Sequence, residues 1–323
     1  MEIISGNNTE KKGFKYLGKG SEFAIIYFKN LFLTIFTLGL YYPWAKVEKL
    51  KYHYQSSELD KSRFAFTGTG KEVFKGFIKV YAIFIALYLF LIYGLQTQNE
   101  AISLIAILIF YLFMLLIIPF AIHGAVRYRA SRSSWKGIHF KYLGDRMQLF
   151  WKCIGGMLLS IITLGIYGAW FEVDLRKYIL SNIRFGDLSF DFKGKGDSLF
   201  WIHLKMILLM YPTLGIYSFW YQKNLWNFYA ANTEITQNGK KVRFGFNMKA
   251  GDVFELTVVN FFLIIFTFGL ATPWVIVRTF NFMLRFLYIK EGLDLDSIQQ
   301  ASHDDYDDAA GDDWLDFLDF DFI

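Results

Sequence analysis

The phrase "TLGLYYPW" at residues 37–44 returns three times, as "TLGIYGAW" from Thr163, "TLGIYSFW" from Thr213 and "TFGLATPW" from Thr267. Recurring punctuation of this kind marks a chain built from modules. A second phrase sets the period. "FKYLGKG" begins at Phe14, "FAFTGTG" at Phe64, "FKYLGDR" at Phe140, "FDFKGKG" at Phe190 and "FGFNMKAG" at Phe244, at intervals of 50, 76, 50 and 54 residues. The chain divides into a polar segment 1–13, a repeat-built region 14–290 and an acidic segment 291–323, expected to be a disordered tail. The modules are 14–63, 64–139, 140–189, 190–243 and 244–290.

Each module reads alike. Aromatics at i and i+2, such as Phe64 with Phe66 or Phe190 with Phe192, put two rings on one face of a short strand. Glycines end the strand, and an apolar helix starts near a polar cap such as Ser21, Asp197 or Asp252. At the Thr-Leu-Gly phrase, Gly39, Gly165, Gly215 and Gly269 can take the left-handed conformation that closes a helix. An amphipathic second helix follows, as in "WAKVEKLKYHY", and a hairpin such as that at Asn238-Gly239 closes the module. On this reading the phrase marks the headgroup level, where a membrane helix stops and an interfacial one departs. Gly39, Trp44, Gly165, Trp170, Gly215, Trp220, Gly269 and Trp274 are then helix stops and interface anchors within an aromatic belt. A binding loop used four times is the other reading, and the sequence leaves it open.

Composition favours a bilayer: 54% of the 323 residues are hydrophobic and 20% aromatic. Ala82 to Leu95 carries no charge, nor does Ala101 to His123, whose 23 residues can cross a hydrocarbon core of about 30 Å. Module 2 exceeds its neighbours by 26 residues and holds an additional apolar helix. The expected fold is mainly α, a polytopic membrane protein with about six transmembrane helices in five strand-helix-helix modules, with short β-hairpins between them. The spans fall near 22–42, 74–95, 101–120, 149–170, 199–220 and 254–276. Two topologies stay open. Either every span crosses, or some modules are shallow hairpins that keep all five strand hairpins on one face. Basic residues outside the spans divide too evenly to orient the chain. The N-terminus lacks the apolar stretch of a signal peptide, so internal spans are expected to direct insertion. One cysteine, Cys153, excludes an intramolecular disulfide.

Charge is segregated. From Glu291 onward there are 12 acidic residues and no Lys or Arg, while residues 1–290 hold all 34 bases and 17 acids. A basic body on an apolar protein points to anionic lipid headgroups. It does not point to nucleic acid, because no basic helix or stripe is present. No His-Glu-x-x-His, Gly-x-Ser-x-Gly or P-loop occurs, so no catalytic, cofactor or metal residues are expected. A site assembled from residues distant in sequence stays open. Lys29, Asn30, Lys152, His203, Lys205, Glu255 and Asn260 lie near the helix starts. They either snorkel to water or form a polar layer lining a path or headgroup site. The junctions "GKGSEF", "GTGKEVF" and "GKGDSLF" place Lys19, Lys71 and Lys195 beside helix starts, which suits either anion contact or simple turning. In the tail, Trp314, Phe317, Phe320 and Phe322 alternate with aspartates. They can dock on a partner or fold back on the basic body.

The Phe-x-Phe-x-Gly-x-Gly strands at Phe64 to Gly70 and Phe190 to Gly196, with the Thr-Leu-Gly-Ile/Leu-Tyr-x-x-Trp phrases at Thr37, Thr163 and Thr213, resemble the YjgN-like family of bacterial inner-membrane proteins. The resemblance covers roughly 14–290. Module 5 departs from it at Phe268 and Ala271, and the tail lies outside it. It implies a multi-pass protein of the bacterial inner membrane and brings no established activity, cofactor or catalytic residue. Its genes neighbour membrane metallopeptidases, a hint of a partner. The functional expectation is non-enzymatic binding of lipid headgroups or a membrane partner. A transporter or channel using the polar layer is one alternative, and a membrane enzyme or metallopeptidase accessory is another.

Overall fold

The computed structural model describes residues 12–299. Five times the chain runs strand, helix, helix, strand. The first unit is β1 (Lys12–Tyr16), α1 (Gly20–Phe36), α2 (Tyr42–Ser56) and β2 (Ser57–Leu59). The second is β3 (Ser62–Phe66), α3 (Gly70–Gln96), α4 (Glu100–Arg132) and β4 (Ser133–Trp135). The third is β5 (Ile138–Tyr142), α5 (Arg146–Ile162), α6 (Gly168–Ser181) and β6 (Ile183–Phe185). The fourth is β7 (Leu188–Phe192), α7 (Gly196–Met210), α8 (Ser218–Asn232) and β8 (Thr233–Gln237). The fifth is β9 (Lys240–Phe246), α9 (Ala250–Phe266), α10 (Thr272–Phe286) and β10 (Leu287–Ile289).

The strands form one closed barrel in the order β1-β10-β9-β8-β7-β6-β5-β4-β3-β2. All pairs are antiparallel. Within each unit the last residue of the outgoing strand faces the first of the returning one: Tyr16 with Ser57, Phe66 with Ser133, Tyr142 with Ile183, Phe192 with Thr233 and Phe246 with Leu287. Every helix pair therefore leaves and re-enters at the same end of the barrel, and every strand turn lies at the other. Each helix packs on the next and α10 packs on α1, so the helices close a ring above the rim.

This corrects the six-span, mainly α expectation. A ten-stranded barrel organises the molecule. Among the described helices only α3 and α4 are long and apolar enough to cross a membrane. Their most apolar windows are only 11% buried, unlike the core helix of a soluble protein. The runs near 22–42, 149–170, 199–220 and 254–276 each contain a helix of 15 or 17 residues, a turn and the start of the helix coming back. At 1.5 Å per residue such helices reach about 25 Å, short of a 30 Å hydrocarbon core. Hydropathy does not register the reversal, because the turn residues are as apolar as the helices.

The core has two storeys, as period-two strands require. Phe14, Phe64, Phe140, Phe190 and Phe244 point into the barrel with Trp135, Phe185, Ile235 and Val242, and fill it. The aromatics two residues on lie at the rim beneath the helices. Tyr16 packs with Phe23 and Val277, Phe66 with Val47 and Tyr128, and Phe192 with Val173 and Leu199. Residues 290–299 cross the barrel floor. Leu293, Leu295 and Ile298 join its core. The Gln237 amide donates to the Asp294 carbonyl at 2.8 Å and accepts from its N–H at 2.9 Å.

Candidate functional site

The repeated phrase is the tip of each short helical hairpin. Leu38 and Gly39 take φ of +50° and +92°, and Leu164–Gly165, Leu214–Gly215 and Phe268–Gly269 repeat this left-handed pair. The glycine N–H reaches back five residues, as from Gly165 to the Ser160 carbonyl at 2.7 Å. The threonine joins the two helices. Thr163 Oγ1 donates to the Leu159 carbonyl at 2.7 Å and accepts the Tyr167 N–H at 2.9 Å. Thr37, Thr213 and Thr267 do the same. The N–H groups of the glycine and of the residue that opens the second helix are thus bonded by the chain itself.

What the tips present outward is apolar. Leu38, Leu164, Leu214 and Phe268 are 81%, 94%, 92% and 96% exposed. Phe36, Ile162, Tyr211 and Phe266 beside them are also exposed. A non-glycine residue held left-handed costs about 1 kcal/mol or more. Four such residues carrying solvent-facing side chains form a surface that water does not favour.

The anchor tryptophans work between modules. A Cβ on Gly20 would run into the indole of Trp274, one on Gly70 into Trp44, and one on Gly196 into Trp170. Each indole therefore covers the glycine that starts the next unit's first helix. Trp170 also donates to Asp197 at 3.1 Å and stacks on Tyr167. At the start of α9 alanine, Ala250, stands in place of that glycine, and Trp220 remains exposed. Tyr52, Tyr128 and Tyr178 clasp the starts of α1, α3 and α5 from within the unit, donating to the carbonyls of Lys19, Thr69 and Asp145 at 2.8, 3.2 and 2.8 Å.

The sequence-predicted polar residues do not converge on one point. Most meet the second helix of their own hairpin. Lys29 pairs with Glu48, Glu255 with Arg278 at 3.7 Å, and Asn260 donates to Thr279 at 3.3 Å. Lys152 lies 5.7 Å from the Tyr178 ring centre, and His203 shares a 3.0 Å hydrogen bond with Tyr221. Asn30 is buried and Lys205 is exposed. His203 alone also bridges units, 3.6 Å from Glu172 on α6. Glu172 accepts the Tyr229 hydroxyl as well, and Arg176 lies 3.8 Å over that ring. Sequence reading missed these partners. Lys29 with Glu48 and Asn260 with Thr279 sit equidistant from the Leu-Gly or Gly-Leu step of their tips, a signal visible only once the tip is read as a reversal. Trp314, Phe317, Phe320 and Phe322 lie outside the described residues. Among the described residues no group of three or more His, Cys, Asp or Glu is placed to hold a metal ion.

Each first helix has one base at its start: Lys19, Lys71, Arg146, Lys195 and Lys249. They ring the level where barrel gives way to helices, about 25 Å from the short tips. At the floor, Lys136 bonds Asp296 at 2.8 Å and Asp60 at 3.3 Å. The Lys136 ammonium holds the Asp296 carboxyl below the usual carboxylate range, and Asp296 raises Lys136 in return.

The sequence profile of a family described as bacterial protein of unknown function (DUF898) matches residues 11–217 and 206–317. The second match takes in much of the acidic segment. The inner membrane protein YjgN of Salmonella typhimurium is 30% identical over 164 residues, 51% of this chain and 40% of that protein. The protein of the same name from Escherichia coli K12 is 28% identical over 164 residues, 51% of this chain and 39% of that protein. The match thus spans about two fifths of the length of these curated relatives. No solved structure matches. With the profile matched across most of its length, the chain belongs to the DUF898 family of bacterial proteins of unknown function.

Proposed function

We propose that this chain is an inner-membrane protein, as its relatives are named, with a non-enzymatic role in binding lipid. The barrel stands outside the bilayer. The five bases at the helix starts meet anionic headgroups, four hairpins dip into the hydrocarbon, and the α3–α4 hairpin crosses it. The observation that carries this reading is the four apolar tips, each held left-handed and more than four-fifths exposed. In hydrocarbon an unbonded backbone group costs several kcal/mol, and the threonine and glycine bonds lower that cost at each reversal. A conduit down the barrel axis would have to pass Trp135, Phe185 and the floor segment, which argues for binding over passage.

The test uses a Cys153→Ser background with single cysteines at 38, 164, 214 and 268, and floor controls at 61 and 239. Each carries an environment-sensitive fluorophore in vesicles containing phosphatidylglycerol. The tips should be quenched by acyl-chain nitroxides and the floor positions by an aqueous quencher. Tips that respond like the floor would refute the reading.

A further inference from the structure

The tryptophan seats are not alike. In the first unit the Trp44 indole lies over Gly70, with the rings of Tyr41 and Phe74 5.9 and 4.9 Å away. In the third, Trp170 lies over Gly196 with Tyr167 and Phe200 at 6.3 and 5.2 Å. The fifth has Ala271 and Ala24 where those rings would stand and still seats Trp274 on Gly20, so the seat follows the glycine. A Cβ at these glycines would come within 2.2 to 2.4 Å of the indole, far inside contact distance. The fourth unit keeps both ring positions, as Tyr217 and Phe254, but has Ala250 in place of the glycine. Its methyl occupies the seat. Phe254 packs edge-on against Phe219 at 5.1 Å, and among the described residues no ring stacks on Trp220. A cleft of about 560 Å³ is open beside this indole, lined by Pro212, Thr213, Leu214, Ile216, Tyr217 and Trp220 and almost wholly apolar. Its size is that of a small-molecule site, and its lining offers a ligand little beyond hydrocarbon contact.

Positive charge stands on the barrel side of the cleft. His203 faces Tyr221 across the hairpin, which puts Lys205 level with Phe219 and Trp220. Lys223 follows Trp220 by one turn on the same helix face. Lys205 is exposed, and neither lysine has an acid partner among the described residues. Acids at the neighbouring seams are engaged by other groups: Asp197 by Trp170, Glu172 by His203 and Tyr229, Asp252 by the Lys249 N–H and Glu255 by Arg278. Bases toward the barrel and an apolar cleft toward the tip complement a molecule with an anionic head and a hydrocarbon chain.

We propose that this cleft seats one anionic phospholipid, an acyl chain lying against Trp220 and Tyr217 and the phosphate held by Lys205 and Lys223. The proposal rests on the lipid-binding reading above and narrows it to one tip of the four. The test uses the full chain in phosphatidylcholine vesicles with a small fraction of phosphatidylglycerol bearing a diazirine in one acyl chain. Adducts formed on illumination are mapped by mass spectrometry. Labelling of residues 211–221 should exceed that of the matching segments 35–45, 161–171 and 265–275 by roughly fivefold or more. Ala250→Gly frees the seat for the indole and should bring the labelling down to theirs. Lys205→Gln with Lys223→Gln should lower it roughly fivefold, the scale of two lysines near an anionic surface, and leave labelling by a diazirine phosphatidylcholine unchanged. Fluorophore quenching at positions 38, 164 and 268 in the same variants should stay as it was, which excludes misfolding as the cause. Equal labelling of the four segments would overturn the seat and leave insertion of the tips standing, whereas labelling of none would overturn both. Labelling indifferent to Ala250→Gly, or to the paired lysine change, would overturn the proposal as well.

Discussion

Threonine lets two apolar helices reverse without recruiting water. Its hydroxyl donates to the last turn of one helix and accepts from the first turn of the next, so it supplies a partner on each side of the tip. Replacing Thr163 by the near-isosteric valine deletes both bonds and should cost about 1–2 kcal/mol. Serine at the same position should restore most of this. Unfolding in detergent followed by tryptophan fluorescence reads both, and equal stability of the valine and native chains would contradict the account. The neighbouring leucine tests the opposite balance. Leu164 is strained and makes little contact with the protein, so Leu164→Gly, which takes the left-handed region freely and puts no polar amide into the detergent core, should raise stability in detergent by about 1 kcal/mol. A loss of stability would mean that the leucine is held by packing.

At the scale of elements, the tryptophans of the repeated phrase join one unit to the next. A methyl at Gly196 has no room beneath Trp170, so Gly196→Ala should cost about 1–3 kcal/mol. Trp170→Phe makes room and loses the bond to Asp197, so the two changes together should cost less than their sum. Strict additivity in a double-mutant cycle would show that the contact is not shared. An amino-acid string shows that Trp sits at helix starts. It does not show that the glycine beneath belongs to the next unit, because that contact depends on closure of the ring. The floor segment is a second such element. The carboxyl of Asp296 is depressed in the folded state, so its contribution is present above the unfolded value near 4 and is lost as pH falls through the folded one. Lys136 is raised, so its contribution holds until pH rises past the folded value. The segment should therefore stay seated through neutral pH and loosen in acid below about 4. Hydrogen exchange of residues 291–298 in Lys136→Ala should show the same loosening at pH 7, and protection unchanged from the native chain would remove the ion pair from the argument.

For the whole molecule, direction was the part the sequence did not carry. Period-two rings at Phe64 and Phe66 sufficed to place both on one strand face, and the uncharged run from Ala101 to His123 sufficed to mark a long apolar helix. Whether a helix after Gly39 or Gly165 continues across a bilayer or comes back is decided by Tyr16 pairing with Ser57 and Tyr142 with Ile183, contacts made some 40 residues apart. Once those pairings fix every strand turn at one end, the charge balance acquires a direction that six alternating spans could not give it. The segment joining α3 to α4, residues 97–99, holds no Lys or Arg, while the bases at the helix starts and on the floor all lie on the barrel side. Excess positive charge stays on the cytoplasmic face. The barrel should therefore face the cytoplasm and the α3–α4 turn the periplasm. In the Cys153→Ser background, Thr97→Cys should react with a membrane-impermeant maleimide once the outer membrane is permeabilised. Asn238→Cys, at the floor, should react only after the inner membrane is opened. Labelling of both from outside, or of Asn238→Cys alone, would reverse the orientation or place the barrel in the bilayer's far compartment, and the headgroup ring at Lys19, Lys71, Arg146, Lys195 and Lys249 would then lie against the wrong leaflet.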